Sequence, residues 1–315
     1  MPLSLDQYIE DLDGRKDLPW PVAPMIAPPK AKPHITRLPV KAVLWTVYGT
    51  LVAIPHGELV YEPPPGPLGD FVFENALEKT IKEFKMWNSM SRKPGKPSEY
   101  MASLHKNAHA TLRLTHGGEA PAEKVWEDIV RKLQQKEYTY DAGQYGSLEE
   151  YCRKIAYFFH ASLQGTGAYP GAADALRMVA EGGRQQGLLD NGQSFTFGQL
   201  RRCLRKDDPD FEPNLYVRPE LRVLSAEVKA RKPADGIWKA ATAALAAKGI
   251  RPAEALHVGS SLARDVGPAK RHGYRTALFA GDKNSLAASG DQLKDAALRP
   301  DVLLTELTQV IEVFA

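Results

Sequence analysis

A chain of 315 residues with 43% apolar and 25% charged side chains carries enough hydrophobic material for a large core, which excludes a disordered or low-complexity protein. Its 41 lysines and arginines stand against 38 aspartates and glutamates, and the basic residues are scattered apart from Arg201, Arg202, Arg205 and Lys206, so a nucleic-acid partner is not expected and that cluster reads as a solvated helix face. Two cysteines without a CxxC spacing, no signal pattern and no run of about 18 apolar residues lead to the expectation of a cytoplasmic chain with no membrane partner.

Residues 1–38 are rich in proline, with Pro19, Pro21, Pro24, Pro28, Pro29 and Pro33 blocking helix interiors and central strands, and read as an extended arm. The apolar run Val40 to Val47, stopped by Gly49, predicts a buried strand. Between residues 53 and 168 the spacing changes to that of helices, over Phe71 to Trp87, Tyr100 to Leu114, Ala122 to Leu133 and Tyr151 to Phe159, the last announced by a Ser147 to Glu150 capping box. This stretch is predicted to be a helical cap inserted into a core made of residues 39–52 and 169–315.

From residue 169 onward, helices at Ala172 to Ala180, Phe197 to Leu204, Pro233 to Lys248 and Leu262 to His272 alternate with strands. The strands are Arg184 to Asp190, Arg222 to Ser225, Ala255 to Gly259, Arg275 to Ala280 and Val302 to Leu304. That alternation predicts an α/β fold with a doubly wound parallel sheet. In such a sheet ligands bind beyond the carboxyl ends of the strands, where the strand order reverses. Polar residues that end apolar strands are therefore the candidates: Thr46 to Leu51, Asp190-Asn191-Gly192, and Ser260-Ser261 with Asp265, together with Arg231-Lys232-Pro233 before a helix.

These four segments, in this order, resemble the four motifs of the haloacid-dehalogenase (HAD-like) hydrolase superfamily, and the resemblance extends over residues 40–310. It implies an aspartate at the end of the first strand that attacks phosphorus or a halogen-bearing carbon and forms a covalent intermediate. Thr46 stands at that position, and its alcohol lacks the nucleophilicity of a carboxylate. Asp190 stands where the family has a serine or threonine, so the two residue types have traded places. Neighbouring strands lie about 4.8 Å apart, and Asp190 could therefore supply a relocated carboxylate; the favoured alternative is that Thr46 and Asp190 hydrogen-bond to each other and fill a disused site. Lys232 matches the family's charge-neutralising lysine. Asp265 matches its retained metal-binding carboxylate, and Ser260 replaces another. Tyr48, Asn191 and the Ser260-Ser261 pair resemble the metal-free dehalogenase form.

The resemblance thus yields Thr46, Tyr48, Asp190, Asn191 and Lys232 as catalytic positions, Gly49, Thr50, Gly192, Ser260 and Ser261 as substrate-binding positions, and Asp265 as the metal position, with Mg²⁺ bound weakly or not at all. The eight histidines show no ligand spacing, and His105 and His109, at i and i+4, are expected on a helix surface. The expected function is a catalytically impaired hydrolase scaffold that binds a small anionic ligand or a partner. The alternatives are an active hydrolase of phosphate esters or 2-haloacids that uses Asp190, and a structural or interaction protein. The oligomeric state is left open.

Overall fold

The computed structural model describes residues 1–90 and 95–315; residues 91–94 lie outside them. The chain forms two compact units, one of residues 1–22, 59–165 and 193–199, the other of residues 23–58, 166–192 and 200–315.

The first unit is helical, and it corrects the expectation of an extended arm at the N-terminus. Residues Leu5–Gly14 form α1, opened by a capping box in which Ser4 and Gln7 satisfy each other's backbone N–H groups. The prolines that dominate the arm begin only at Pro19, apart from Pro2, so the intervening stretch is free to coil, and Tyr8, Ile9 and Leu12 are buried along one stripe. Helices α2 (Pro67–Glu83) and α3 (Pro97–Thr115) each start on a proline, whose fixed φ and missing N–H suit the first helical position. The stretch expected to be helical as far as Trp87 stops at Glu83, and Lys85 just beyond adopts a left-handed φ of +52°.

Helix α4 (Ala122–Gln134) buries Val125, Trp126, Ile129, Val130 and Leu133 at helical spacing. Helix α5 (Leu148–Leu163) carries the Ser147–Glu150 capping box and is buried almost all round, because α1, α2 and α4 pack against it. His105 and His109 on α3 are buried, not exposed as expected, since i, i+4 spacing puts both on the face turned to this core. The His105 ring packs against Phe73, Trp126 and Phe159, and burial, reinforced by the neighbouring His160, pulls its pKa down to about 3.

In the second unit, Ala42–Trp45 form strand β1, buried at every position as a strand covered on both faces must be. The chain continues through α6 (Ala172–Glu181), β2 (Gln185–Asp190), α7 (Thr196–Asp207, part of this unit from residue 200 on), β3 (Arg222–Leu224), α8 (Asp235–Ala246) and β4 (Ala255–Gly259). A π turn at Leu262–Val266 leads into the short α9 (Gly267–Arg271), where a single helix over Leu262 to His272 was expected; β5 (Arg275–Phe279) and β6 (Val302–Leu304) follow. Pro268 lacks the N–H that an uninterrupted α-helix would return to Arg264.

The six strands of the main sheet are parallel in the order β3-β2-β1-β4-β5-β6, and Val52–Ala53 pairs antiparallel with Gly167–Ala168 in a separate two-stranded sheet. The chain steps outward from β1 to β3, then returns to start again at β4, so the order reverses between β1 and β4 and the fold is a doubly wound α/β sheet. Leu44, Leu189 and Val223 of the strands pack with Ile237, Trp238 and Leu245 of α8; full burial of each large side chain contributes about 1.5–3 kcal/mol. The Pro-rich stretch within residues 23–38 stays extended and exchanges backbone hydrogen bonds with the β6 edge, His34 N to Leu303 O at 2.9 Å and Leu303 N to His34 O at 2.8 Å, which covers an otherwise open row of donors and acceptors. Among the described residues, no helix is long and apolar enough to cross a membrane.

Candidate functional site

Thr46 is the first residue past β1, and its N–H donates to Val258 O of β4 at 2.9 Å, which fixes it at the switch point of the sheet. The chain then turns sharply through Val47 to Val52. Gly49 takes a φ of +80°, and a Cβ there would sit 2.8 Å from Ser260 Oγ and 2.9 Å from Gly57 O, so glycine is required on both conformational and steric grounds. Asp190 ends β2 and is 3% exposed; Lys232 and Asp265 are 5% and 3% exposed.

The Lys232 ammonium donates to Asp265 Oδ1 at 2.5 Å, to Thr46 Oγ1 at 2.9 Å and to Leu189 O at 3.0 Å. An ammonium has three N–H bonds, and here all three are used inside the protein. The Thr46 hydroxyl in turn donates to Asp265 Oδ1 at 3.2 Å, while Asp265 Oδ2 accepts from Ser261 N at 3.0 Å. Gly259 makes this possible, because any Cβ at that position would lie 2.3 Å from Asp265 Cγ. Burial pushes the Asp265 carboxyl upward in pKa, but the Lys232 charge and the His257 contact outweigh it and hold the group well below the ordinary range.

Asp190 is held differently. Its Oδ2 accepts from the backbone N–H groups of Val47 and Tyr48 at 3.2 and 3.1 Å, and its Oδ1 from that of Asn191 at 2.8 Å. Thr46 and Asp190 share no hydrogen bond, so the expected pairing is corrected: the hydroxyl turns to Asp265 and the carboxylate sits in a cradle of three amides. Lys232 Nζ lies 3.7 Å from Asp190 Oδ1. Burial raises the Asp190 pKa, and Lys232 and the amides offset this only in part. Asn191 clamps the backbone at Lys232, its Oδ1 accepting from Lys232 N at 2.7 Å and its Nδ2 donating to Lys232 O at 3.3 Å.

Thr46, Tyr48, Asp190, Asn191, Lys232, Ser260 and Asp265 line one small cavity of about 10 Å³, with Gly57, Glu58 and Arg264 completing its wall. That is room for roughly one water molecule. Gly49, Thr50, Gly192 and Ser261 lie outside this lining. Thr50 is fully buried and its hydroxyl has no hydrogen-bond partner among the described residues. Gly192 O accepts from Ser225 Oγ and Ala226 N, both at 3.2 Å, and Ser261 Oγ caps the π turn by accepting from Arg264 N at 3.2 Å.

One residue of the network was not singled out from the sequence. His257, in the middle of β4, is 1% exposed, with Nε2 3.3 Å from Asp265 Oδ1 and 3.4 Å from Thr46 Oγ1. Burial lowers its pKa, with the Asp265 hydrogen bond opposing. A lone polar residue inside a five-residue apolar strand was the available signal.

Residues 229–310 match the family model described as HAD-hydrolase-like, a span that contains Lys232, His257, Ser260 and Asp265. A solved 2-haloacid dehalogenase from Pseudomonas syringae pv. tomato is similar over 87% of this chain and 97% of its own, with a TM-score of 0.51 and 16% identity. By fold, the chain is haloacid-dehalogenase-like. Two further solved structures, an L-2-haloacid dehalogenase from Xanthobacter autotrophicus with chloropropionic acid covalently bound and a HAD phosphatase from Thermococcus onnurineus, align over 86% of this chain and 97% and 96% of theirs, at 17% and 16% identity and TM-scores of 0.42 and 0.45. No curated protein matches the sequence. The likeness to the Pseudomonas enzyme, at 16% identity, speaks for the fold alone and leaves activity to the chemistry of the site.

Proposed function

We propose that this haloacid-dehalogenase-like chain is a catalytically impaired hydrolase scaffold that works by binding and not by turnover. The observation that carries the reading is the internal consumption of the site's chemistry: all three N–H bonds of Lys232 and both oxygens of Asp190 are engaged by the protein itself. Thr46 occupies the place where the resemblance implies a carboxylate nucleophile, and its hydroxyl donates to Asp265, whose ionised form is a poor base for an alcohol. Asp190 is no substitute as placed. A carboxylate that accepts from three amides has lone pairs committed to them, and moving it by even about 1 Å into line for attack would break those bonds.

The donor set does not suit magnesium, which requires near-octahedral oxygen ligands including carboxylates. Asp265 Oδ1 faces an ammonium at 2.5 Å, Ser260 is neutral, and the described residues contain no group of three or more His, Cys, Asp or Glu side chains that could hold a metal ion. The reading therefore includes no step through a metal.

The test is a hydrolysis screen of phosphomonoesters and 2-haloacids with and without Mg²⁺, run on the wild type and on Asp190→Asn. No turnover above that of Asp190→Asn is expected. Turnover on the order of 1–1000 per second that disappears in Asp190→Asn but survives in Thr46→Val would replace this reading by a relocated-carboxylate hydrolase, with Lys232 at 3.7 Å as the charge partner of Asp190.

A further inference from the structure

The helical unit contains a cavity of about 590 Å³, built where the segment that follows α1 passes over α2 and α5. Three contacts hold that segment in place. Arg15 pairs with Glu83 of α2 at 2.5 Å, Lys79 of α2 donates to Pro19 O at 2.7 Å, and the Trp20 ring meets the Phe158 ring of α5 edge-on with centroids 5.4 Å apart.

The cavity's polar atoms divide into two groups. Arg15 is satisfied by Asp17 and Glu83, and Lys79 by the Pro19 carbonyl. Lys82 and Lys85 also line the cavity; both are exposed, neither side chain makes a hydrogen bond or a close ion pair among the described residues, and the Lys82 charge acts at longer range on Asp17. Two further lining residues have buried polar atoms with no partner among the described residues: the indole Nε1 of Trp20 and the hydroxyl of Ser162, a residue only 5% exposed. A buried polar atom left unpaired is costly enough that proteins rarely keep one without reason. Indole and ammonium groups are donors only, and a hydroxyl can donate. The two buried atoms therefore call for acceptors, and the exposed ammonium groups of Lys82 and Lys85 are free to face a negative charge.

Leu18, Pro19, Trp20 and Phe158 offer hydrocarbon surface, and Gln144 and Tyr145 complete the wall. We propose that this cavity binds an amphiphilic anion, an aromatic or alkyl body lying against Trp20 and Phe158 and a sulfonate, carboxylate or phosphate head held by Lys82 and Lys85. The N-terminal segment is then a wall of the binding site, and the inference stands whether or not the sheet-edge site turns over substrate.

The test titrates the full-length protein with 1-naphthalenesulfonate, which cannot be hydrolysed, by calorimetry. Saturable binding is expected with Kd near 100 μM, about −5.5 kcal/mol, while the neutral analogue 1-naphthalenemethanol should bind at least about tenfold more weakly. The exposed pair Lys82→Ser with Lys85→Ser should lose about tenfold in affinity without a change in melting temperature, and Ser162→Ala should lose severalfold. Absence of saturable heat up to about 5 mM, equal binding of the neutral analogue, or undiminished binding by the double lysine variant would each overturn the proposal, the last by placing the ligand elsewhere in the chain.

Discussion

The sheet-edge site and the cavity of the helical unit are opposites. At the sheet edge the charged groups are buried and the space that remains is about 10 Å³; beside α2 and α5 the space is about 590 Å³, and Trp20 Nε1 and Ser162 Oγ stand unpaired beside it among the described residues. The difference teaches that motif positions and binding capacity can part company. Buried charges need partners wherever they stand, and at the sheet edge Lys232, Asp265 and Asp190 find theirs within the protein. The segment with no motif at all retains the open, unsatisfied chemistry that a ligand requires.

The hardest blow to the comparison falls on Lys232. Removing one partner of a buried ion pair leaves an uncompensated charge, at about 3–5 kcal/mol, and Asp265 is 4% exposed at the side chain with Lys232 as its 2.5 Å partner. Lys232→Met should therefore lower the unfolding free energy by about that amount, read from chemical denaturation. Adding Asp265→Leu to it should recover most of the loss, since an apolar replacement of the whole pair is often neutral. A loss below about 1 kcal/mol in the single variant would mean that the network is hydrated, and that the sheet edge is more open than its geometry implies.

A smaller effect is expected at Asp190, whose carboxylate occupies the amide cradle of Val47, Tyr48 and Asn191. Asp190→Ala leaves three N–H groups without acceptors and should destabilise by about 1–3 kcal/mol. It also creates an anion-sized vacancy lined by oriented backbone dipoles. Inorganic phosphate at about 10 mM should then raise the melting temperature of Asp190→Ala and leave the wild type unmoved, because a ligand stabilises only the state that binds it. An equal phosphate shift in both proteins would show that Asp190 does not block the cradle.

Much of this architecture is legible in the sequence, because apolar runs ended by polar residues mark the strands: Ala255–Gly259 and Val302–Leu304 have the bounds expected. A parallel sheet then brings all strand ends to one edge, which explains why Thr46, Asp190 and Asp265 meet. What residue types do not reveal is backbone. The partners of Asp190 are three amides, and amides belong to every residue, so the sequence suggests Thr46 instead. α1 was hidden by averaging the prolines of residues 19–33 over a longer arm. The buried face of α3 could not be told from its exposed one by His105 and His109 alone, since histidine suits either.

The two carboxylates of the sheet edge should also answer pH with opposite signs. Burial raises the Asp190 pKa above its ordinary 3.8, so its contribution to stability is full below that value and is lost as pH rises through the folded pKa. The Asp265 pKa is lowered, so its contribution is present above about 3.8 and is lost as pH falls toward the folded pKa. Between pH 3 and 8, stability relative to the wild type should therefore rise with pH in Asp190→Asn and fall with pH in Asp265→Asn, as followed by urea midpoints. Slopes of the same sign would show that one of the two carboxyls has its electrostatic surroundings misassigned.

The smallest expected effect, at Thr50, tests whether the closed description holds atom by atom. The resemblance makes Thr50 a substrate-binding position, yet it is fully buried, outside the cavity lining, and its hydroxyl has no partner among the described residues. Valine has nearly the same shape and no polar atom to desolvate. Where a buried hydroxyl makes no hydrogen bond, its removal should be neutral or stabilise the fold by up to about 1 kcal/mol, whereas a hydroxyl bonded to a ligand or to the turn would make the same change destabilising. Thr50→Val should accordingly unfold at an equal or slightly higher urea concentration than the wild type. A loss beyond about 1 kcal/mol would assign that hydroxyl a partner and reopen the first-strand turn as part of a working site.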